Sequence, residues 1–149
     1  MEKQLAELQE VIPKAGKLNE KVSRSEVGWH VDHSLKVLNN ICLELKKSSP
    51  EDYKPSFSFK KLLVLTLGKI PRGIAKAPKG VRPPMEIKEE ELYIQLENAK
   101  SLLDEIKRLP EKSNFEHPYF GRLDLKTSIK FMRIHTEHHL KIIRDILTN

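Results

Sequence analysis

Residues 129–146 of this 149-residue chain read IKFMRIHTEHHLKIIRDI, and the fold prediction starts from this stretch. Its apolar residues recur in steps of three and four, which is the period of a buried helix face. Two histidines occupy the middle of that stripe, whose members are Ile129, Met132, His135, His139, Ile142 and Ile146. The pattern predicts a long amphipathic helix that carries histidines toward the core.

The spacing of His135 and His139 indicates a metal site. Residues four apart on a helix face the same way, so the two imidazoles can offer nitrogens to one point. Burying polar ring nitrogens without a partner is unfavourable, and a bound divalent ion removes that cost. The same spacing occurs in the two-histidine turn of helical zinc enzymes. The alternative is a pair of hydrogen-bonded core histidines, because this spacing also arises by chance. A working metal site needs a third ligand.

Four other histidines are candidates for that ligand. His138 lies about 100° around the helix from His139, so we expect it at the edge of the core or as a hydrogen-bonding partner of a ligand. His117 precedes a proline and belongs to a loop. His30 and His33 lie in the first turns of a second amphipathic helix. A helical wheel places His30 nearer the centre of its apolar face, so periodicity favours His30 and leaves His33 open.

The length and composition predict one domain, residues 1–149, around one core. No apolar run approaches the roughly 18 residues that a membrane span needs, and no apolar signal region follows the N-terminus. The single cysteine, Cys42, falls on the apolar stripe of the second helix, so no disulfide can form within the chain. These features predict a cytoplasmic protein.

The formal net charge of +6 comes from one segment. Eight basic residues and no acidic residue lie between Tyr53 and Met85: Lys54, Lys60, Lys61, Lys69, Arg72, Lys76, Lys79 and Arg82. Much of this segment, residues 68–84, is also rich in proline and glycine, which predicts an irregular basic loop. We expect the loop to lie beside the mouth of the metal pocket and to favour an anionic ligand. The alternative is a solvated connection with surface lysines.

Four segments have helical periodicity, which predicts an all-α protein built as a four-helix bundle. The predicted long helices cover about residues 2–21, 25–47, 88–109 and 124–147, with a short helix at about 59–67. Pro13 should kink or divide the first helix. Ser23 or Ser25 can cap the second helix and Asp124 the last. The irregular linker permits one long crossover between the second and third long helices, and no set of alternating strands is visible.

The chain resembles the DinB-like superfamily, and within it the DUF1569 branch of bacterial proteins, over nearly its whole length. The resemblance rests on VGWHVDH at 27–33, HPYFG at 117–121 within an aromatic loop, and HTEHH at 135–139. It implies a four-helix bundle that holds a zinc- or nickel-type divalent ion between one histidine of the second helix and two of the last. The matching positions are His33, His135 and His139, so the resemblance favours His33 over His30.

Three neutral imidazoles with an open fourth position suit a catalytic metal site. The resemblance implies a metal-dependent enzyme, either a low-molecular-weight-thiol S-transferase or a hydrolase, in which the ion lowers the pKa of a bound thiol or water. Bacillithiol, mycothiol and glutathione, the thiols of such transferases, are anionic. The alternative is a non-catalytic helical binding protein, metal-free or stabilised by the metal. A nucleic-acid-binding protein is the weakest hypothesis, because the basic segment lacks interleaved aromatic residues.

The expected partner is therefore a small-molecule substrate, with an anionic thiol as one candidate, and neither nucleic acid nor a membrane. The sequence does not decide whether the protein forms a homodimer. No catalytic residue can be named from the sequence. Asp32 and Glu137 adjoin the histidines along the chain, but helix geometry directs both away from them.

Overall fold

The structure is a computed structural model that describes residues 1–73 and 77–148. Within these residues the protein is mostly helical, with a small antiparallel sheet of two strands. The helices are α1 (Glu2–Val11), α2 (Val27–Lys47), α3 (Phe59–Leu67), α4 (Glu89–Glu105) and α5 (Leu125–Thr148). Short 3-10 turns cover Ile12–Lys14, Pro50–Asp52, Lys79–Val81 and Ile106–Arg108.

Helices α1, α2, α4 and α5 share one buried apolar cluster. Helix α2 packs against both α4 and α5, and α1 contacts the same two helices. Fully buried members of the cluster are Leu8, Leu35, Leu38, Leu96 and Ile143. Burial of one such side chain contributes roughly 1.5–3 kcal/mol, so the shared core fixes the positions of the histidine-bearing helices α2 and α5. Cys42 lies in this core as a buried free thiol, as its place on the apolar stripe predicted.

The first predicted helix is divided, as expected. Helix α1 ends at Val11, and the 3-10 turn that follows contains Pro13. Proline lacks a backbone N–H and crowds the preceding turn, so the chain cannot continue in the α conformation. Residues 15–21 form turns and irregular backbone rather than helix.

The two predicted caps have different outcomes. Helix α2 begins after Glu26 without a side-chain cap, so the prediction of Ser23 or Ser25 as the cap is wrong. The prediction for α5 is confirmed, because Asp124 Oδ1 accepts the Thr127 N–H at 2.8 Å. That bond satisfies one of the free amides at the helix start.

The aromatic segment predicted as a loop is a β-hairpin, so the chain is not purely all-α. Strand β1 (Asn114–His117) pairs with the antiparallel strand β2 (Gly121–Asp124), and Phe115 lies opposite Leu123 with both side chains buried. Strands of four residues are too short to show an alternating pattern. The His-Pro pair and the glycine in this segment are typical of loops, so the sequence predicts a loop here rather than two strands.

The linker between α3 and α4 is irregular over its described residues, apart from the 3-10 turn at Lys79–Val81. Lys76 and the rest of residues 74–76 lie outside the part of the chain that the structure describes. Helix α3 has the predicted bounds and ends at Gly68, whose φ of 62° suits glycine. None of the helices in the described residues is long and apolar enough to cross a bilayer.

Candidate metal centre

Three histidines meet where α2 and α5 pack together. His33 of α2 and His135 and His139 of α5 each offer one ring nitrogen, and the three atoms lie within 4.8 Å of one another. We call these residues the histidine trio. A tetrahedral zinc ion bonds nitrogens at about 2.0–2.1 Å, which places them roughly 3.4 Å apart. Small rotations of the rings would therefore bring all three nitrogens to one ion.

His33 is held in place by two contacts. Its Nδ1 lies 2.7 Å from the carbonyl oxygen of Val81, so this nitrogen carries the proton and donates it. Its ring stacks on Trp29 with centroids 5.1 Å apart. Burial lowers the pKa of His33, and the bond to Val81 partly opposes that shift. The protonated Nδ1 leaves the Nε2 lone pair free for a metal ion.

His139 is held by His30, the residue that periodicity alone had favoured as a ligand. The Nδ1 atoms of these two histidines lie 3.0 Å apart, and His30 Nε2 lies 3.0 Å from Ser23 Oγ. If His139 donates from Nδ1, its Nε2 lone pair is free for metal and His30 donates to Ser23. His30 therefore contacts a candidate ligand, His139, and can orient its ring. The third member of the trio is His33 rather than His30.

Burial keeps these imidazoles neutral, which is the form that binds metals. Loss of hydration lowers the pKa values of His135 and His139 well below the usual value, and the neighbouring histidines lower them further. Burial also lowers the pKa of His30 to about 4. The trio therefore presents nitrogen lone pairs, rather than positive charges, at pH 7.

A cavity of about 320 Å³ lies beside the trio and includes all three of its histidines in its wall. Large apolar side chains form much of the rest: Trp29, Val37, Ile41, Phe115, Phe120 and Phe131. The linker contributes Ile70, Pro71, Pro78 and Val81. The expectation that the linker borders the metal pocket therefore agrees with the described residues.

The basic residues of the linker that the structure describes lie outside the cavity wall. Among the described residues that line the cavity there is neither lysine nor arginine, and the exposed Glu44, which also borders it, pairs with Lys47 at 3.6 Å. Arg72 pairs with Asp145 at 2.7 Å, and Arg82 donates to the carbonyl oxygen of Ala77 at 2.8 Å. The cavity wall is consequently apolar, in contrast to the basic composition of the segment.

His117 lines the same cavity from the end of β1. Its Nδ1 accepts the backbone N–H groups of Tyr119 at 3.1 Å and of Phe120 at 3.2 Å, and its ring stacks on Phe120. From the sequence we assigned His117 only to a loop, and its position at the cavity was missed. The His-Pro turn was the single local signal, and it indicates a turn without indicating what the turn faces.

The two acidic neighbours of the histidines point away from the trio, as predicted. Asp32 pairs with Lys36 at 2.7 Å, and Glu137 pairs with Arg144 at 2.8 Å. His138 lines the cavity and hydrogen bonds to the backbone carbonyl of Ile70. The trio is therefore surrounded by rings and backbone groups rather than by carboxylates.

No family model, curated protein or solved structure matches the chain. The resemblance to the DinB-like superfamily accordingly stays a prediction, and the geometry of the site carries the functional argument.

Proposed function

We propose that the chain is a metal-dependent enzyme of DinB-like type, a four-helix bundle in which His33, His135 and His139 hold one divalent ion, zinc or nickel. The observation that carries the proposal is the convergence of three neutral imidazoles, from two helices, on the wall of a cavity large enough for a small molecule. A structural ion would need no such cavity.

The chain's own residues prepare this site in three ways. The carbonyl oxygen of Val81 accepts from Nδ1 of His33, and His30 can accept from Nδ1 of His139, which would leave the Nε2 atoms of both ligands free to hold the ion. The packing of α2 on α5 sets the spacing of the ligands. The cavity leaves room for water or substrate as the fourth ligand, whose pKa the bound ion would lower.

Two reactions fit such a site, thiol S-transfer and hydrolysis. In either reaction a bound ion would lower the pKa of the thiol or water, so neither requires a carboxylate base at the trio. Glutathione, bacillithiol and mycothiol remain the proposed thiols for the first reaction. We place the protein in the cytoplasm, acting on a small molecule.

The alternative is a non-catalytic protein that the metal stabilises. The engagement of Asp32 and Glu137 in ion pairs away from the trio favours it, because no acidic side chain is then directed at a bound substrate. Metal would raise the stability of such a protein without any turnover.

The decisive experiment is zinc and nickel binding, measured by titration calorimetry on tag-free protein and checked by metal analysis. We expect one ion per chain. His139→Ala should lower the affinity by more than the roughly 10–100-fold expected for an outer-shell partner, because a ligand is lost. His138→Ala is the matched control on the same helix turn and should retain stoichiometric metal. Unchanged binding in both His135→Ala and His139→Ala would refute the site.

A further inference from the structure

We propose that the cavity beside the histidine trio binds an uncharged, largely apolar group, such as an aromatic ring or a branched chain, that carries a hydrogen-bond acceptor for His117 Nε2. This inference rests on the proposed function, since it defines the other substrate of the same site, the molecule that would receive the thiol or be hydrolysed. It concerns the cavity wall rather than the ion, so the two can be tested separately.

The size and lining of the cavity support an apolar occupant. A volume of about 320 Å³ is at the small end of the roughly 300–1,000 Å³ of small-molecule sites. Three phenylalanines and Trp29 supply ring faces and edges, and aliphatic side chains of α2 and the linker fill the gaps between them. Burial of apolar ligand area against these groups is the main source of affinity that such a wall can offer.

The charges around the cavity disfavour an anion. No lysine or arginine is present among its described lining residues, and the one carboxylate among them, on Glu44, is exposed and pairs with Lys47 at 3.6 Å. Arg72 and Arg82, from the adjoining linker, are already engaged with Asp145 and with a backbone carbonyl. In the metal-free protein, transfer of an anion from water into this apolar space without a cationic partner would be costly.

His117 supplies a fixed donor in the wall. Two backbone N–H groups point at its Nδ1, so that atom must be the unprotonated one and the single ring proton sits on Nε2. Within the described residues Nε2 has no hydrogen-bond partner, while the faces and edge of the ring contact Phe120 and Phe131. Burial lowers the pKa of His117 to about 4, so the ring stays neutral at pH 7.

Three ligands of one shape test the inference on metal-free protein: acetophenone, benzoate and α-methylstyrene. They compete against N-phenyl-1-naphthylamine, a neutral dye that fluoresces in apolar surroundings. We expect acetophenone to bind at least about tenfold more tightly than benzoate, because only benzoate must be desolvated as an anion. Equal affinity for the two ligands, or failure of the dye to bind, would overturn the apolar assignment. The stoichiometry of zinc, measured separately, would still decide the metal centre.

Substitution at His117 tests the donor. Asparagine keeps an acceptor near the position of Nδ1 for the turn but lacks a donor at Nε2, whereas glutamine keeps a donor near Nε2. His117→Asn should lower the ratio of acetophenone to α-methylstyrene affinity by about three- to tenfold, the value of one hydrogen bond. His117→Gln should preserve the ratio, even where loss of the turn contacts lowers its melting temperature. An unchanged ratio in a folded His117→Asn protein would remove His117 from the substrate site.

Discussion

His30 and His139 share one hydrogen bond between their Nδ1 atoms, and the direction of this bond decides which nitrogen of His139 can bind metal. Because His30 also bonds Ser23 through Nε2, and a hydroxyl can donate or accept, the proton on each ring of this series is set together with the others. Such outer partners fix the tautomer of a ligand and raise its basicity. At the scale of single residues, this bond is the feature most specific to a prepared metal site.

The first prediction concerns this bond. His30→Ala should lower zinc affinity by about 10–100-fold while one ion per chain still binds at saturation. His33→Ala should have the larger effect, because it removes a ligand. Titration calorimetry on the two variants makes the comparison, with Ser23→Ala expected to lie between His30→Ala and the unsubstituted protein. If His30→Ala abolished binding while His33→Ala retained it, His30 would be the third ligand.

At the scale of elements, the hairpin places His117 at the cavity. Gly121 opens β2 with a φ of 68°, a conformation that costs other residues strain. A Cβ on this glycine would lie 2.5 Å from Ser56 Oγ. That hydroxyl accepts the Arg122 N–H at 2.8 Å and so ties the hairpin to the segment before α3. Any side chain at position 121 would therefore meet both backbone strain and a steric clash with Ser56.

The second prediction follows from that position. Gly121→Ala should lower the free energy of unfolding by about 1–2 kcal/mol from the left-handed backbone alone, with the contact to Ser56 adding to the loss. Gly16→Ala is the matched control, since Gly16 lies outside the positive-φ glycines and a Cβ there meets nothing within 4 Å. Urea denaturation of both variants measures the difference. Equal stability of the two variants would contradict the hairpin geometry.

At the scale of the whole molecule, the buried His30 and the partly buried His117 link stability to pH. The pKa of His117 is about 4 in the folded protein against 6.5 for a free histidine, and His30 has the same pKa of about 4. Between pH 6.5 and about 4 these two histidines are protonated in the unfolded chain and remain neutral in the folded protein. The free energy of unfolding therefore falls as the pH falls through this range.

The third prediction is this pH dependence in metal-free protein. From the two pKa values, one such histidine should cost up to about 2 kcal/mol of stability at pH 5 relative to pH 7. His117→Asn lacks the titrating group and should flatten the decline, which urea denaturation at a series of pH values would show. A decline as steep in His117→Asn as in the unsubstituted protein would contradict the low pKa.

Much of the helical framework could be predicted because it depends on local signals. The stripe of α5 placed His135 and His139 on one face, Asp124 was identified as a cap, and α3 has the predicted bounds. Pro13 marked the end of α1 for the same reason. Each of these features follows from residues within a few positions along the chain, where helix geometry fixes the spacing.

The sequence by itself determined a helical protein with two histidines prepared on one helix face and a basic, irregular linker. Only the tertiary structure decided that His33 completes the trio while His30 supports His139, since both residues fit the α2 pattern until α5 is packed against it. It also decided that the linker gives the cavity apolar groups and that a hairpin brings His117 to its wall. These outcomes depend on contacts between residues far apart in the chain, which no local periodicity encodes.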